Sequence, residues 1–466
     1  MFDGRFAVSA LALGNFAIGL SILLPTGMLG ELSLGLSVPI GSAGLLISLG
    51  AGVVCLSPPF VAWTTSRIDR RTLLSAMVLW LALGHIASAF APNYLTLLVI
   101  RLVMLAFAGS FTPLAASTVT LLVVEHERAS AISKILLGWV VAIAFGLPLI
   151  TVIVPQLGWR AIYGLMGILA IVGFAALLIG LPNGVKGRPV NFATWRAVGR
   201  NFQLGLLLLI TILLAAGQLV VVAFVGPLLS ETTGANPREI ALVFLLFGVM
   251  TLVGNVIASQ LVKSWSAFRT SAVFMVCILL GVSLWSVGTG IYLLMAMGAA
   301  TWGLGFAAVS AMQQVRLIAA APHLAVASVA INNTALYFGQ AVGSGIGSFL
   351  FARGNLSGMG FVAVAFVAVC FVVLWLTRKA AEKLGAAFDF DTVKLLARAF
   401  DRALDKYLKG LPTVKDEASL HAELAACIVA TAQTGERDED VLTQNGYLML
   451  RSLRMANSKD TSSPRT

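Results

Sequence analysis

"LLVIRLVMLAFAG", residues 97–109, sets a single arginine, Arg101, inside an otherwise apolar stretch. An arginine at the centre of a membrane helix costs roughly 3 kcal/mol or more, so it marks a packed or functional interior rather than a lipid-facing surface. The stretch lies within an apolar run at 94–122, long enough to cross a bilayer core of about 30 Å at about 1.5 Å per helical residue. Runs of the same kind recur at 6–28, 41–62, 72–91, 131–154, 159–181, 202–229, 239–262, 269–288, 291–318, 324–352 and 357–377. The pattern predicts an all-α membrane protein with twelve spans in two groups of six.

Composition supports that reading. The chain is 59% hydrophobic and 11% charged, whereas soluble domains carry about 25% charged residues. The net charge of +11 is not a nucleic-acid footprint, because no basic stripe is interleaved with aromatics. Through residue 383 there are 20 Lys and Arg against 8 Asp and Glu; after it, 11 against 12. The excess therefore lies in short connections between apolar runs. One set of connections and ends carries Arg5, Arg67, Arg70, Arg71, Arg128, Lys134, Lys186, Arg188, Arg196, Arg200, Lys263, Arg269, Arg316, Arg378, Lys379 and Lys383. The other set holds only Arg160, Arg238 and Arg353, which places both termini in the cytoplasm by the positive-inside rule.

The first run, from Phe6, is too long for the apolar part of a signal peptide and reads as a retained span. Cys55, Cys277, Cys370 and Cys427 are not spaced as metal ligands or as a redox pair and read as small buried hydrophobes. No metal site, cofactor or enzymatic nucleophile is expected.

The two halves repeat at a shift of 198 residues: Pro39 matches Pro237, Gly50 matches Gly248, and Arg71-Thr72 matches Arg269-Thr270. Parallel six-helix repeats are a transporter architecture with the substrate site at their interface. The expected organisation is an N-terminal bundle (1–182), a cytoplasmic linker (183–201), a C-terminal bundle (202–378) and a cytoplasmic helical tail with a disordered end (379–466). In the tail, Val393, Leu396, Phe400, Ala403, Leu404 and Tyr407 share one helical face, with Asp389 or Asp391 as cap. A second helix carries Leu420, Leu424, Cys427 and Ile428 and stops at Gly435; a third covers about 438–454, before a polar end, "NSKDTSSPRT".

Several stretches resemble the major facilitator superfamily, in its drug:proton antiporter branch and among arabinose-efflux-permease-like members. "SRIDRRTLL" (66–74) is similar to the basic loop between the second and third helices, "APNYLTLLVIRLVMLAFAGSF" (91–111) to the fourth helix with its arginine at Arg101 and glycine at Gly109, and "FGLPL" (145–149) to the fifth-helix Gly-Pro motif. "GWRAIY" (158–163) resembles the start of the sixth helix, and "VGPLLSETTG" and "WGLGFAAVSA" fit the seventh and tenth. The chain departs from the pattern at Ala62 and Ser66 in the loop, at Ile150 in the fifth helix, and at Ile22, where related permeases carry a glutamate.

The resemblance implies coupling or gating roles for Arg101 and Gly109, a conformational latch in Arg67, Asp69, Arg70 and Arg71, and a bend in the fifth helix at Gly138, Gly146 and Pro148. The competing readings are orientation charge for the loop and close helix packing for the small residues. "GQAVGSGIGS" (339–348) also reads as packing, since no strand precedes it. Polar residues within spans are the substrate-site candidates: Asn15, Ser21, Gln218, Gln313, Gln314, Asn332 and Asn333. For each, interhelical hydrogen bonding is the alternative. His85 reads as a packing residue, and Glu31 and Glu231 as solvated span ends.

The function expected is export of a sugar-like or hydrophobic small solute or drug across the inner membrane, by alternating access, from a monomer in the lipid bilayer. Uptake, or facilitated diffusion, uses the same fold and is the alternative within transport. A membrane sensor signalling through the 384–454 tail to a cytoplasmic partner is the alternative from another class. No span holds a mid-membrane carboxylate. Coupling to a proton therefore falls to the outer glutamates, to His85 with Arg101, or to neither.

Overall fold

The computed structural model describes residues 4–65, 67–124, 127–185, 192–262, 264–321, 324–378, 390–408, 417–433 and 435–460. They form two compact units, Met1–Thr377 and Arg378–Thr466. The first contains twelve helices long and apolar enough to cross a membrane: Arg5–Gly27, Ile40–Pro58, Arg70–Ala89, Tyr94–Leu122, Ser130–Leu157, Trp159–Gly180, Phe202–Val222, Pro237–Leu261, Ala267–Val287, Tyr292–Ala320, Ala327–Ala352 and Leu356–Leu376. They are spans 1 to 12 below. Large apolar side chains such as Leu83, Phe90, Ile168, Ile179 and Leu376 remain exposed, as a surface solvated by lipid requires.

Polar residues at the ends set where spans begin. Asn93, Asn201, Ser266 and Asn355 each accept a backbone N–H from the first turn of spans 4, 7, 9 and 12. Asn236 and Glu239 form a reciprocal capping box at span 8, with Pro237 in its first turn. These caps satisfy end groups that the adjoining hydrocarbon cannot.

The repeat seen in sequence is a repeat of packing. Spans 1–5, 1–6, 3–4 and 3–6 pack together in the first half, and spans 7–11, 7–12, 9–10 and 9–12 in the second. The halves meet through the pairs 2–11 and 5–8, which exchange under the same symmetry. Both seams are close. A Cβ on Gly248 of span 8 would meet Ala144 of span 5, and one on Gly44 of span 2 would meet Phe224 at 2.5 Å and Ser348 Oγ at 2.7 Å. Leu23, Ile47, Ile143 and Leu147 of the first half share an apolar core with Phe224 and Phe247 of the second.

Spans 1, 4, 5 and 7 are interrupted. Spans 1 and 7 end at Gly27 and Val222, and short helices, Leu29–Leu36 and Val225–Thr233, continue past them. The single run expected at 202–229 is thus two helices. Span 4 breaks at Ala106–Phe107, between Tyr94–Leu105 and Ala108–Leu122. There the Trp80 indole N–H donates to the Val103 carbonyl (3.0 Å), competing with the helix for that acceptor. Span 5 contains a π turn, Ala142–Gly146, and Pro148 follows two residues later. Proline supplies no N–H to the turn before it, and a widened turn accommodates the loss. The linker expected at 183–201 contains a helix at Phe192–Arg200.

The second unit has three helices, Phe390–Leu408, Glu417–Gln433 and Glu439–Asp460, around Leu396, Ala399, Ala403, Leu424, Ile428, Leu442 and Leu450. Gly435, at φ +100°, turns the chain after the second helix. Arg398 and Arg402 pair with Glu439 at 3.0 and 2.9 Å. The third helix outruns its expected end at 454 and includes the first residues of the polar stretch, because helical bonding continues past the last apolar side chain. Asp389 and residues 461–466 lie outside the described residues.

Candidate transport site and coupling centre

Arg101 is fully buried in span 4. Its guanidinium is met by carbonyl oxygens: Nε donates to Leu46 O (2.7 Å), Nη1 to Ser21 O (3.2 Å) and Nη2 to Ile22 O (2.8 Å). The sequence explains why span 1 can offer an acceptor there. Pro25 lacks the N–H that would bond Ser21 O four residues back, so that carbonyl is free of its helical partner. Ile22 stands where related permeases carry a glutamate, and its backbone oxygen takes the arginine. One side chain thereby ties spans 1, 2 and 4 by charge-assisted hydrogen bonds, stronger than neutral ones.

Around it, Ser21 Oγ bonds Ala17 O (2.6 Å) and His85 Nε2 (2.7 Å). The His85 ring lies 5.8 Å from the Tyr163 ring, centroid to centroid. His85 and Tyr163 are both fully buried. His85 Nδ1 has no hydrogen-bond partner, and the Tyr163 hydroxyl lies beside the Arg101 guanidinium. Spans 1, 3, 4 and 6 thus converge on one polar cluster.

A second junction lies farther along span 4. Gly109 packs on span 2 so closely that a Cβ would sit 2.5 Å from Val54 O. Val54 O has lost its own helical donor to Pro58 and accepts instead from Ser57 Oγ (3.4 Å), and a Cα–H of Gly109 faces the same oxygen. Pro113 does the same to Gly109 O, and Asn333 Nδ2 from span 11 donates to it at 3.3 Å. That bond crosses between the halves.

The other expected residues divide by what they touch. Asn15 is buried, donating to Ile135 O (2.9 Å) and accepting from Thr112 Oγ1 (2.6 Å), which joins spans 1, 4 and 5. Asn332 accepts from Thr211 Oγ1 (2.7 Å), and Gln313 donates to Leu207 O (3.1 Å). Those three amides serve interhelical bonding. Gln218 is buried with Oε1 unpartnered, and Gln314 is exposed. A Cβ on Gly138 would meet Ala12 O, and one on Gly146 would meet Leu20, so both glycines bring span 5 against span 1; Pro148 is buried.

At the loop before span 3, Asp69 accepts from Arg71 N (3.0 Å), Thr72 N (3.3 Å) and Gly184 N (2.6 Å). Arg71 donates to Asn183 Oδ1 (2.9 Å), Arg70 N to Val185 O (2.8 Å), and Arg67 is exposed. The loop therefore clasps the end of span 6. Ser66 lies outside the described residues. Glu231 is exposed and Glu31 partly so.

Arg316, counted in the sequence among connection charges, lies instead within span 10 and is buried. Span 10 runs on to Ala320, so the arginine is answered inside the bundle, by Gln313 Oε1 (2.7 Å), Thr377 Oγ1 (2.5 Å) and the face of Phe268 (5.6 Å). Tyr163 and the proline-freed carbonyls also escaped the sequence reading. A proline four residues after a mid-span carbonyl is the signal that finds the latter.

Two symmetric six-helix bundles, joined at seams 2–11 and 5–8 and carrying interrupted helices, define a multi-pass membrane transporter rather than an enzyme. The chain belongs to the Major Facilitator Superfamily, which it matches over residues 8–344. It is 27% identical to the inner membrane transport protein YdhP of Escherichia coli (strain K12), covering 81% of this chain and 97% of that protein. To a probable sugar efflux transporter of Mannheimia succiniciproducens it is 25% identical, covering 79% and 92%. Among solved structures, a bacterial homolog of the human lysosomal transporter Spinster, inward-facing and unoccupied, superimposes with a TM-score of 0.64 at 14% identity, covering 82% of this chain and 98% of that one.

Proposed function

We propose that this protein is a secondary active transporter of the bacterial inner membrane that exports a small neutral solute, sugar-like or weakly hydrophobic, in exchange for protons. The observation that carries the substrate class is the fate of the intramembrane charges. Arg101 is consumed by three carbonyls, and Arg316 by Gln313 and Thr377. The polar groups left for a solute are neutral amides, Gln218 and Gln314. A charged solute would enter a low-dielectric site with no counter-charge, at a large cost.

The sugar efflux relative supports export, and the loop charges put the basic face and both termini in the cytoplasm. The seams between halves, with breaks in spans 1, 4, 5 and 7, suit alternating access by one bundle rocking on the other. The protein acts as a monomer, and the tail is a site for a cytoplasmic partner. Flux in proteoliposomes with an imposed pH gradient tests the reading, using a panel of neutral pentoses, a lipophilic cation and a carboxylate. Gradient-driven movement of a neutral member supports it. Transport of the cation or carboxylate alone sinks it.

A further inference from the structure

We propose that His85 is the proton-carrying residue of this transporter, standing in for the mid-span carboxylate that its spans lack among the described residues. The assignment rests on the proton-coupled reading above and deepens it. Ser21 has one hydroxyl hydrogen and two neighbours that can take it, Ala17 O at 2.6 Å and His85 Nε2 at 2.7 Å. Whichever receives it, the second ring nitrogen of His85, Nδ1, stays without a partner although the residue is fully buried. A histidine kept only for packing would have both nitrogens satisfied, since a buried unpaired polar atom is costly.

The groups that face the ring make it a switch. Span 1 presents Ser21, span 6 presents Tyr163 beside the Arg101 guanidinium, and Arg101 of span 4 acts on the ring electrostatically. Among the described residues no carboxylate acts on His85. A proton taken up at Nδ1 places a second positive charge beside the guanidinium, in surroundings where like charges repel strongly. Relief requires Arg101 to leave its carbonyls or water to enter. Arg101 holds Ser21 O and Ile22 O of span 1 and Leu46 O of span 2, so its departure frees span 1 from spans 2 and 4. Ser21 is the mechanical link, because its hydroxyl meets the histidine and its carbonyl meets the arginine. Proton and helix position are thereby coupled, as a two-state element biased by charge requires. With Ser21 donating to Ala17 O, the neutral ring carries its hydrogen on Nε2 and Nδ1 keeps a lone pair: one proton from the bulk forms the Nδ1–H bond in one conformation, that bond breaks as the proton leaves to the opposite side in the other, and no bond between heavy atoms changes.

The test uses the full chain in proteoliposomes, with whichever neutral pentose of the panel moves fastest. For His85→Gln, gradient-driven accumulation, taken as a ratio to exchange at equal pH in the same variant, is expected to fall about tenfold or more. Accumulation that still follows the gradient in His85→Gln overturns the assignment and leaves proton coupling standing. A wild type whose flux ignores the gradient overturns both. Should His85→Gln fail to fold, Ser21→Ala keeps the ring and removes its partner, and must displace the pH profile of transport; an unmoved profile counts against the proposal. A third readout needs no solute: with four histidines in the chain, ring NMR can follow His85 directly. The assignment requires its signal to titrate between about pH 5 and pH 8 with exchange active, and a silent ring rejects it.

Discussion

Arg101 Nη1 donates to the carbonyl oxygen of Ser21 at 3.2 Å, the one acceptor that Pro25 leaves without its helical partner. A proline thus makes room for an arginine from another span, and the charge is answered by peptide dipoles instead of a carboxylate. Arg101→Ala leaves Ser21 O, Ile22 O and Leu46 O without this donor and spans 1, 2 and 4 untied. Each such bond to a charged group is worth about 1.5–3 kcal/mol, so flux is expected to fall well over tenfold while the protein still inserts. Arg101→Lys should not restore it, since one ammonium lacks the fork that spans three carbonyls. Normal flux in proteoliposomes for either variant, at matched protein content, would show the cluster to be dispensable.

The Asn333 to Gly109 bond is worth about 1 kcal/mol as a neutral hydrogen bond, enough to shift a two-state balance about fivefold. Asn333→Leu should raise the labelling rate of a cysteine placed between the halves by that order. Pro113→Ala restores a helical donor to Gly109 O and should act in the same direction. The double variant should be far from additive, and additivity would place the two effects at separate sites.

Replacing Gly109 with alanine puts a methyl 2.5 Å from Val54 O, against backbone that cannot turn away. Overpacking of this kind costs about 1–3 kcal/mol. A thermal melt in detergent should show a lower midpoint, with transport lost in step. An unchanged midpoint would mean that spans 2 and 4 separate easily.

Asp69→Asn keeps an acceptor for the first turn of span 3 but weakens the tie to Gly184 N, while Asp69→Ala removes all three bonds. The alanine variant should lose about 1–2 kcal/mol and the asparagine variant less. Equal melting points for the two would argue that the loop end of span 6 is held by Arg71 and Asn183 instead.

Truncation after Arg378 removes the three-helix tail, which has its own core, and flux should persist within about twofold if the spans alone transport. Loss of flux would make the tail part of the machine. In the tail, Arg402→Ala breaks a pair that is 61% exposed on the arginine side, so the melting point of that unit should barely move.

Spacing alone decided much of this molecule. Apolar runs about twenty residues long can only be membrane helices, because every backbone polar group in hydrocarbon must bond within its own segment. Twelve such runs, the 198-residue shift and the loop charges therefore carried the architecture. The weak points were interior breaks: the run at 202–229 reads as one apolar segment by length, yet the helix stops at Val222, where Gly226 and Pro227 just beyond it are the signal. Polar residues were easy to locate and hard to assign. Asn15, Gln313 and Asn332 looked like a solute site, but each spends its bonds on a neighbouring helix. What a buried amide binds depends on which helix lies against it, and that neighbour is remote in sequence. The same limit hid the answer to Arg101. The sequence determined that an arginine is buried there and that no acid accompanies it. Only the tertiary structure decided that carbonyls of Leu46, Ser21 and Ile22 receive it, because backbone acceptors are present at every residue and become available only where a proline and a helix crossing coincide.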